Sequence, residues 1–215
     1  MMRYAITKNA VILSLFAIGT AATLAVTNEL TITKVECNRQ QALMSSLNEV
    51  MPHDLHDNDL LSDRITVSDP SLGRGEQHIY RARLGDNASG AVLEATAPDG
   101  YGGNISLIVG VNADGNISGV RVVPPHNETP GLGDNIETKK SDWIFSFDGR
   151  SLSNPDEDGW TVKKDGGEFD SFTGATITPR AVVGAVHRAL KYFDANRDSL
   201  FAAEAETVAA EVCDE

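Results

Sequence analysis

From Asn9 to Asn28 the chain is uncharged and apolar on every side, with Val11, Ile12, Leu13, Leu15, Phe16, Ile18, Leu24 and Val26 inside the run. About twenty residues rising 1.5 Å each cross about 30 Å of hydrocarbon. The pattern therefore predicts a transmembrane anchor over residues 9–28, after a short segment 1–8. A signal peptide is the rival reading. Its small-x-small cleavage pattern is found here only as Ala17-Ile18-Gly19, in the middle of the apolar run, which favours an uncleaved span. Arg3 and Lys8 before the span and Glu29 after it place segment 1–8 in the cytoplasm and the rest of the chain outside. Gly19, Ala22, Thr23 and Val26 make one side of the span small.

Beyond the span the apolar spacing changes. Leu43, Leu47, Val50 and Met51 recur at helical intervals and predict a helix over 36–51 that Pro52 ends. This helix and a polar loop make up a membrane-proximal segment, 29–71. The loop carries His53, Asp54, His56, Asp57 and Asp59, which mix with Asn and read as solvated, with no metal site expected. Alternation or β-branched runs then predict strands at His78–Arg83, Ala88–Ala97, Ser106–Val111 and Ile117–Val123, the last two joined by the turn Asn112–Asn116. A helix is expected over Asp134–Phe147, with Ile136, Trp143, Ile144 and Phe147 on one side. Another is expected from Pro179 to about Phe193, with Val182, Val183, Val186 and Leu190 inward. Thr178 reads as its N-cap and Pro179 as its first helical residue. His187 on this helix reads as a surface residue. Strands first and helices interspersed make the class α+β: a single domain over 72–195, preceded by the transmembrane helix and followed by an acidic tail, 196–215.

Charge narrows the partners. The 215 residues carry a net charge of −13, which argues against nucleic acid, whose phosphates need Lys and Arg. The two cysteines, Cys37 and Cys213, lack a Cys or His at ligand spacing. Outside the cytoplasm a disulfide between them is chemically permitted.

Three glycine-bearing segments stand out as candidate chemistry. Pro98-Asp-Gly-Tyr-Gly-Gly-Asn-Ile105 leads into a strand. His126-Asn-Glu-Thr-Pro-Gly-Leu-Gly-Asp134 lies between strand and helix. Asp170-Ser-Phe-Thr-Gly-Ala-Thr176 precedes the last helix. None fits a Rossmann or Walker A pattern. The third sets the Thr176 hydroxyl just before a helix start, where free N–H groups and the helix dipole favour a phosphate. Lys163 and Lys164 stand near it in sequence and read as a solvated pair.

Asp170-x-x-Thr173-Gly174-Ala175-Thr176 resembles the flavinylation motif of the FMN-binding domain family. Taken in order with Ala-Thr-Ala-Pro-Asp-Gly-Tyr-Gly-Gly, His-Asn-Glu-Thr-Pro-Gly-Leu-Gly-Asp and Ser-Asp-Trp-Ile, it resembles the G-subunit family of the Rnf electron transport complex. The resemblance covers the anchor and the chain from about Leu72 to Tyr192. It implies covalent FMN, esterified through its phosphate to Thr176 by a flavin transferase that reads Asp170, Thr173, Gly174 and Ala175. It also implies a bacterial inner-membrane complex with iron–sulfur and flavin subunits as partners, moving electrons between ferredoxin and NAD with ion transport. The domain would be periplasmic. The chain would act as a translocase subunit without turnover of its own, and no residue is expected to be catalytic. Glu128, Thr129, Pro130, Gly131 and Leu132 are expected beside the flavin, with Tyr101, Gly102 and Gly103 opposite. His126 is read as stabilising its turn. Alternatives are the C subunit of a sodium-pumping NADH:quinone reductase and an anchored extracytoplasmic scaffold without cofactor.

Overall fold

The computed structural model describes residues 2–206, with backbone only for 2–5. One helix, α1, runs unbroken over Met2–Val50. Its stretch from Ile6 is long and apolar enough to cross a membrane. The chain divides into two compact units inside this helix, between Leu43 and Met44. In the first unit the apolar side chains from Val11 to Val35 are exposed.

The second unit is built on a five-stranded antiparallel sheet in the order β1-β2-β3-β4-β5. The strands are β1 Arg64–Val67, β2 Gln77–Leu84, β3 Asn87–Gly100, β4 Gly103–Asn112 and β5 Ile117–Val123. Four of them lie where alternation predicts. β1 comes from the segment expected to be helix and loop; its four residues are too few to show a period, and pairing with β2 makes it a strand.

Alternate residues of β3 and β4 face one core. Ala91, Leu93, Ala95 and Ala97 join Ile105, Leu107, Val109 and Val111 there, under the buried face of α2, Ile177–Ala202. Val182, Val183, Val186 and Leu190 of α2 are buried as expected. The helix also continues through Asn196 to Ala202, because Leu200 is buried and extends the apolar stripe. The acidic tail expected from 196 therefore begins as helix; its residues 207–215, with Cys213 and the Cys37–Cys213 pairing, lie outside the described residues.

The opposite sheet face receives the end of α1. Leu47, Val50 and Met51 are fully buried. A Cβ on Gly110 would collide with the Val50 carbonyl, and one on Gly119 would lie 2.9 Å from Val50 Cα. Ser118 Oγ donates to the Val50 carbonyl, and Arg121 pairs with Glu49 at 2.8 Å.

The helix expected over Asp134–Phe147 is replaced by two 3-10 turns, Gly133–Ile136 and Trp143–Phe147. Ser141 breaks it. Its hydroxyl donates to the Asn135 carbonyl at 2.6 Å and accepts the Trp143 N–H at 3.2 Å, a local bonding pattern that competes with helix. Trp143 and Phe147 still face the core, in contact with Phe172, Trp160 and Phe169. His187 is also not a surface residue. It stacks on Trp160 at 4.9 Å and 5°, with its side chain 12% exposed.

Candidate functional site

At one end of the sheet the three glycine-bearing segments converge on a cavity of about 240 Å³. It is lined by Tyr101 from the β3–β4 hairpin, by Thr129, Leu132 and Gly133 from the loop after β5, and by Gly174 to Thr178 from the entry to α2. Residues far apart in sequence thus meet because β3, β4 and β5 are neighbours and α2 packs across them.

Two of the segments are turns of the same kind. The N–H of Leu132 donates to the Thr129 carbonyl at 3.1 Å, with Pro130 and Gly131 between them. The N–H of Ala175 donates to the Phe172 carbonyl at 3.1 Å, with Thr173 and Gly174 between them. Gly131 and Gly174 have φ of +74° and +82°, the values of the third position in a type II turn, where a side chain is strained. In the first turn Pro130 also suits the second position. The Thr129 carbonyl further accepts the N–H groups of Gly133 and Asp134, at 3.0 and 3.4 Å.

The hairpin closes against the loop after β5. A Cβ on Gly102 would collide with the Asn127 carbonyl. Gly102 therefore serves close approach of two backbones and does not itself line the cavity. Gly103, Gly131, Thr173, Pro130 and Asp170 are outside the lining as well. Asp170 is an exposed residue paired with Lys163 at 2.7 Å, so Lys163 is engaged. Arg180 holds Asp165 by two bonds, 2.6 and 3.0 Å; that pairing keeps the Asp165 carboxyl below its usual range and raises the Arg180 guanidinium.

Glu128 is placed differently from its expected position beside a ligand. It is 5% exposed and turned behind the cavity wall. Oε1 accepts the Gly102 N–H at 2.9 Å, and Oε2 accepts the Thr178 hydroxyl. This overturns the expected capping by Thr178. Thr178 is the second residue of α2, fully buried, and its hydroxyl is spent on Glu128. Thr176 occupies the cap position in α-helical conformation, and its side chain makes no capping bond. Of the threonines at 173, 176 and 178, Thr173 lies outside the lining, Thr178 lines the cavity with its hydroxyl committed to Glu128, and Thr176 lines it with no hydroxyl partner among the described residues. The Thr176 side chain does not cap the first-turn N–H groups of α2, which have no partner within the helix.

His126 stabilises its turn. Its Nδ1 accepts the Glu128 N–H at 3.3 Å, which leaves the proton on Nε2 to donate to Glu137 at 2.8 Å. Trp143 is a support that spacing does not reveal. Its Nε1–H donates to the Asp170 carbonyl at 2.8 Å and its ring meets Phe172 edge-on at 5.2 Å, fixing both sides of the motif loop. Ile177 and Gly133 also line the cavity without having been expected there; Gly133 sits in the expected loop, whereas an isoleucine at a helix start carries no signal.

The lining suits a partly apolar group. Outside α1 the exposed large apolar residues described are Leu84, Tyr101, Leu132, Phe145 and Ile177, and three of these five line this cavity. Apolar side chains concentrated around one concavity mark a binding place. The residues present therefore fit FMN, with Thr176 as the hydroxyl that would hold its phosphate and Tyr101, Leu132 and Ile177 as apolar walls.

Comparison with known proteins agrees with this geometry. Residues 100–191, which contain all the lining segments, match the FMN-binding domain family, and residues 1–50 match the RnfG N-terminal region. The chain is 47% identical over 207 residues to the G subunit of the ion-translocating oxidoreductase complex of Pseudoalteromonas atlantica, covering 95% of this chain and 96% of the relative. It is 48% identical over 204 residues to the protein of the same name in Pseudomonas aeruginosa, covering 94% and 95%. With that of Vibrio atlanticus the identity is 47% over 202 residues, 94% and 96%. By this similarity along nearly its whole length, the chain belongs to the family of G subunits of ion-translocating oxidoreductase complexes, with an FMN-binding domain.

Proposed function

We propose that this chain is an electron-relay subunit of a membrane-bound, ion-translocating ferredoxin:NAD oxidoreductase, carrying FMN as a phosphoester on Thr176. The observation that carries the proposal is the meeting of a free Thr176 hydroxyl with an apolar-rimmed cavity made from three separate segments. The bound flavin supplies the redox chemistry, and the protein supplies position and electrostatics.

A threonine hydroxyl is a weak nucleophile without a base. Thr173, Gly174 and Ala175 beside it offer none, so a separate flavin transferase must remove the hydroxyl proton and form the Thr176 Oγ1–phosphorus bond as the phosphoanhydride bond of an activated flavin donor breaks and its nucleotide leaves. The motif loop suits recognition by another enzyme, because Asp170 and Gly174 are exposed, Thr173 is open to solvent on the same turn, and Trp143 holds the loop in one shape. The cavity is smaller than the roughly 300–1,000 Å³ that encloses a drug-sized ligand. The chain therefore covers part of the flavin and leaves an edge open to a neighbouring carrier. A covalent tether maintains occupancy where a shallow site would otherwise empty.

In this reading α1 anchors the chain in the bacterial inner membrane with residues 1–8 cytoplasmic and the domain periplasmic. Iron–sulfur and flavin subunits are its partners. The chain contributes to a translocase and has no turnover alone.

The test is the full chain expressed with its transferase. Intact mass should exceed the polypeptide by one esterified FMN, and the denatured band should fluoresce. Thr176→Val should be dark. A dark wild-type band from the native membrane would remove the flavin reading. Co-purification with NADH-oxidising and iron–sulfur subunits tests the assembly.

A further inference from the structure

Glu128 presents an unusual electrostatic arrangement. It is 5% exposed, and both its hydrogen-bond donors, the Gly102 N–H and the Thr178 hydroxyl, are uncharged. Among the described residues no Lys, Arg or His side chain pairs with it. Two basic groups near it are engaged elsewhere: His126 of its own loop with Glu137 at 2.8 Å, and Lys140 of the following turn with Asp134 at 3.5 Å. Lys163 and Arg180, on the segments around the motif, are held by Asp170 and Asp165. Glu128 is nevertheless one residue layer from the cavity. Thr178, which it binds, lines the cavity, and so does Gly133, where a Cβ would lie 2.8 Å from Glu128 Oε2.

We propose that Glu128 is a positioning and tuning residue for the flavin site: its two hydrogen bonds fix the β3–β4 hairpin to the first turn of α2, and its unneutralised charge lowers the reduction potential of the flavin held there. The inference rests on the flavin reading given above. Its physics is Coulombic. Adding electrons to a flavin makes its surroundings' fixed negative charge unfavourable, and water screens a buried charge poorly.

The experiment is a redox titration of the full chain in detergent, loaded with flavin by its transferase, with flavin per chain measured first. Glu128→Gln keeps the size and can still accept a hydrogen bond, and its midpoint potential should rise above wild type. Asp114→Asn, an exposed charge change in the β4–β5 turn, should leave the potential where it was. A Glu128→Gln potential equal to wild type, or an equal rise in Asp114→Asn, overturns the proposal. A second measurement needs no variant. The reduced-minus-oxidised infrared spectrum of wild-type protein labelled with ¹³C at glutamate carboxyls should show a perturbed ionised carboxylate; a label-sensitive protonated carboxyl band in its place also overturns it. Wild-type protein without any flavin refutes the functional reading and this inference together, whereas loaded protein with an unmoved potential refutes this inference alone.

Discussion

Both ends of α2 are held by a buried charged side chain, and the two ends are built differently. At the C-terminal end Arg81, 2% exposed, donates through one guanidinium nitrogen to the carbonyls of Leu200 and Ala203, at 2.9 and 2.6 Å. Its remaining nitrogens meet Asp63, which also pairs with Arg83 at 2.6 Å. A cation at a helix C-terminus agrees with the helix dipole, and here it has a counter-ion. At the N-terminal end Glu128 holds Thr178 with no counter-ion among the described residues. The balanced end is what stability alone would build. The unbalanced end lies behind the cavity, where a fixed charge acts on whatever the cavity holds. A buried charge left unpaired beside a concavity points to function more strongly than burial by itself.

Breaking the balanced end should have the largest effect on stability. Arg81→Met strips the last turn of α2 of its donor and leaves Asp63 with Arg83 alone; a loss of about 3 kcal/mol is expected in denaturant titrations, with no change in flavin potential. At the other end, Gly102→Ala forces the hairpin away from the Asn127 carbonyl and should cost about 1–3 kcal/mol, with reduced flavin loading. Thr178→Val removes a buried donor from Glu128 and should cost about 1–2 kcal/mol. Thr176→Val should stay within about 0.5 kcal/mol of wild type, because its hydroxyl caps nothing, and under the proposed function it should also abolish flavin attachment. Equal losses in Thr176→Val and Thr178→Val would contradict the assignment of their separate roles.

The smallest effect concerns pH. Burial against Trp160 depresses the His187 imidazole, with Lys191 and Arg188 adding to the effect and Glu157 opposing it. The unfolded chain then binds a proton more readily than the folded one. Stability is present above the unfolded value of about 6.5 and falls as the pH drops below it. His187→Gln should flatten the stability profile just below pH 6.5 relative to wild type, measured by thermal melts; an unchanged slope there would show that His187 is solvated.

Repeated local patterns were readable directly from the chain. The apolar run in α1, the strands β2 to β5 and the buried stripe of α2 follow from an unbroken apolar stretch, a period of two and a helical period in turn, because side chains one period apart meet the same environment. Turn chemistry was readable too: Pro130-Gly131 and Thr173-Gly174 need only their own backbone to form. β1 was not readable, since four residues show no period and a partner strand defines them. The break at Ser141 was hidden because the apolar positions on either side of it mimic a helix.

Neighbours a few residues away suffice to specify most of the elements and the three glycine-bearing segments, so these were present in the amino-acid order alone. Three-dimensional packing had to settle that Thr178 is enclosed and Thr176 free, that Glu128 stands behind the cavity wall, and that Arg81 reaches across to the end of α2. Those facts depend on which way a side chain points once β3, β4, β5 and α2 have come together, and on the burial that makes an unpaired charge costly. Long-range contacts set both, and no local spacing encodes them.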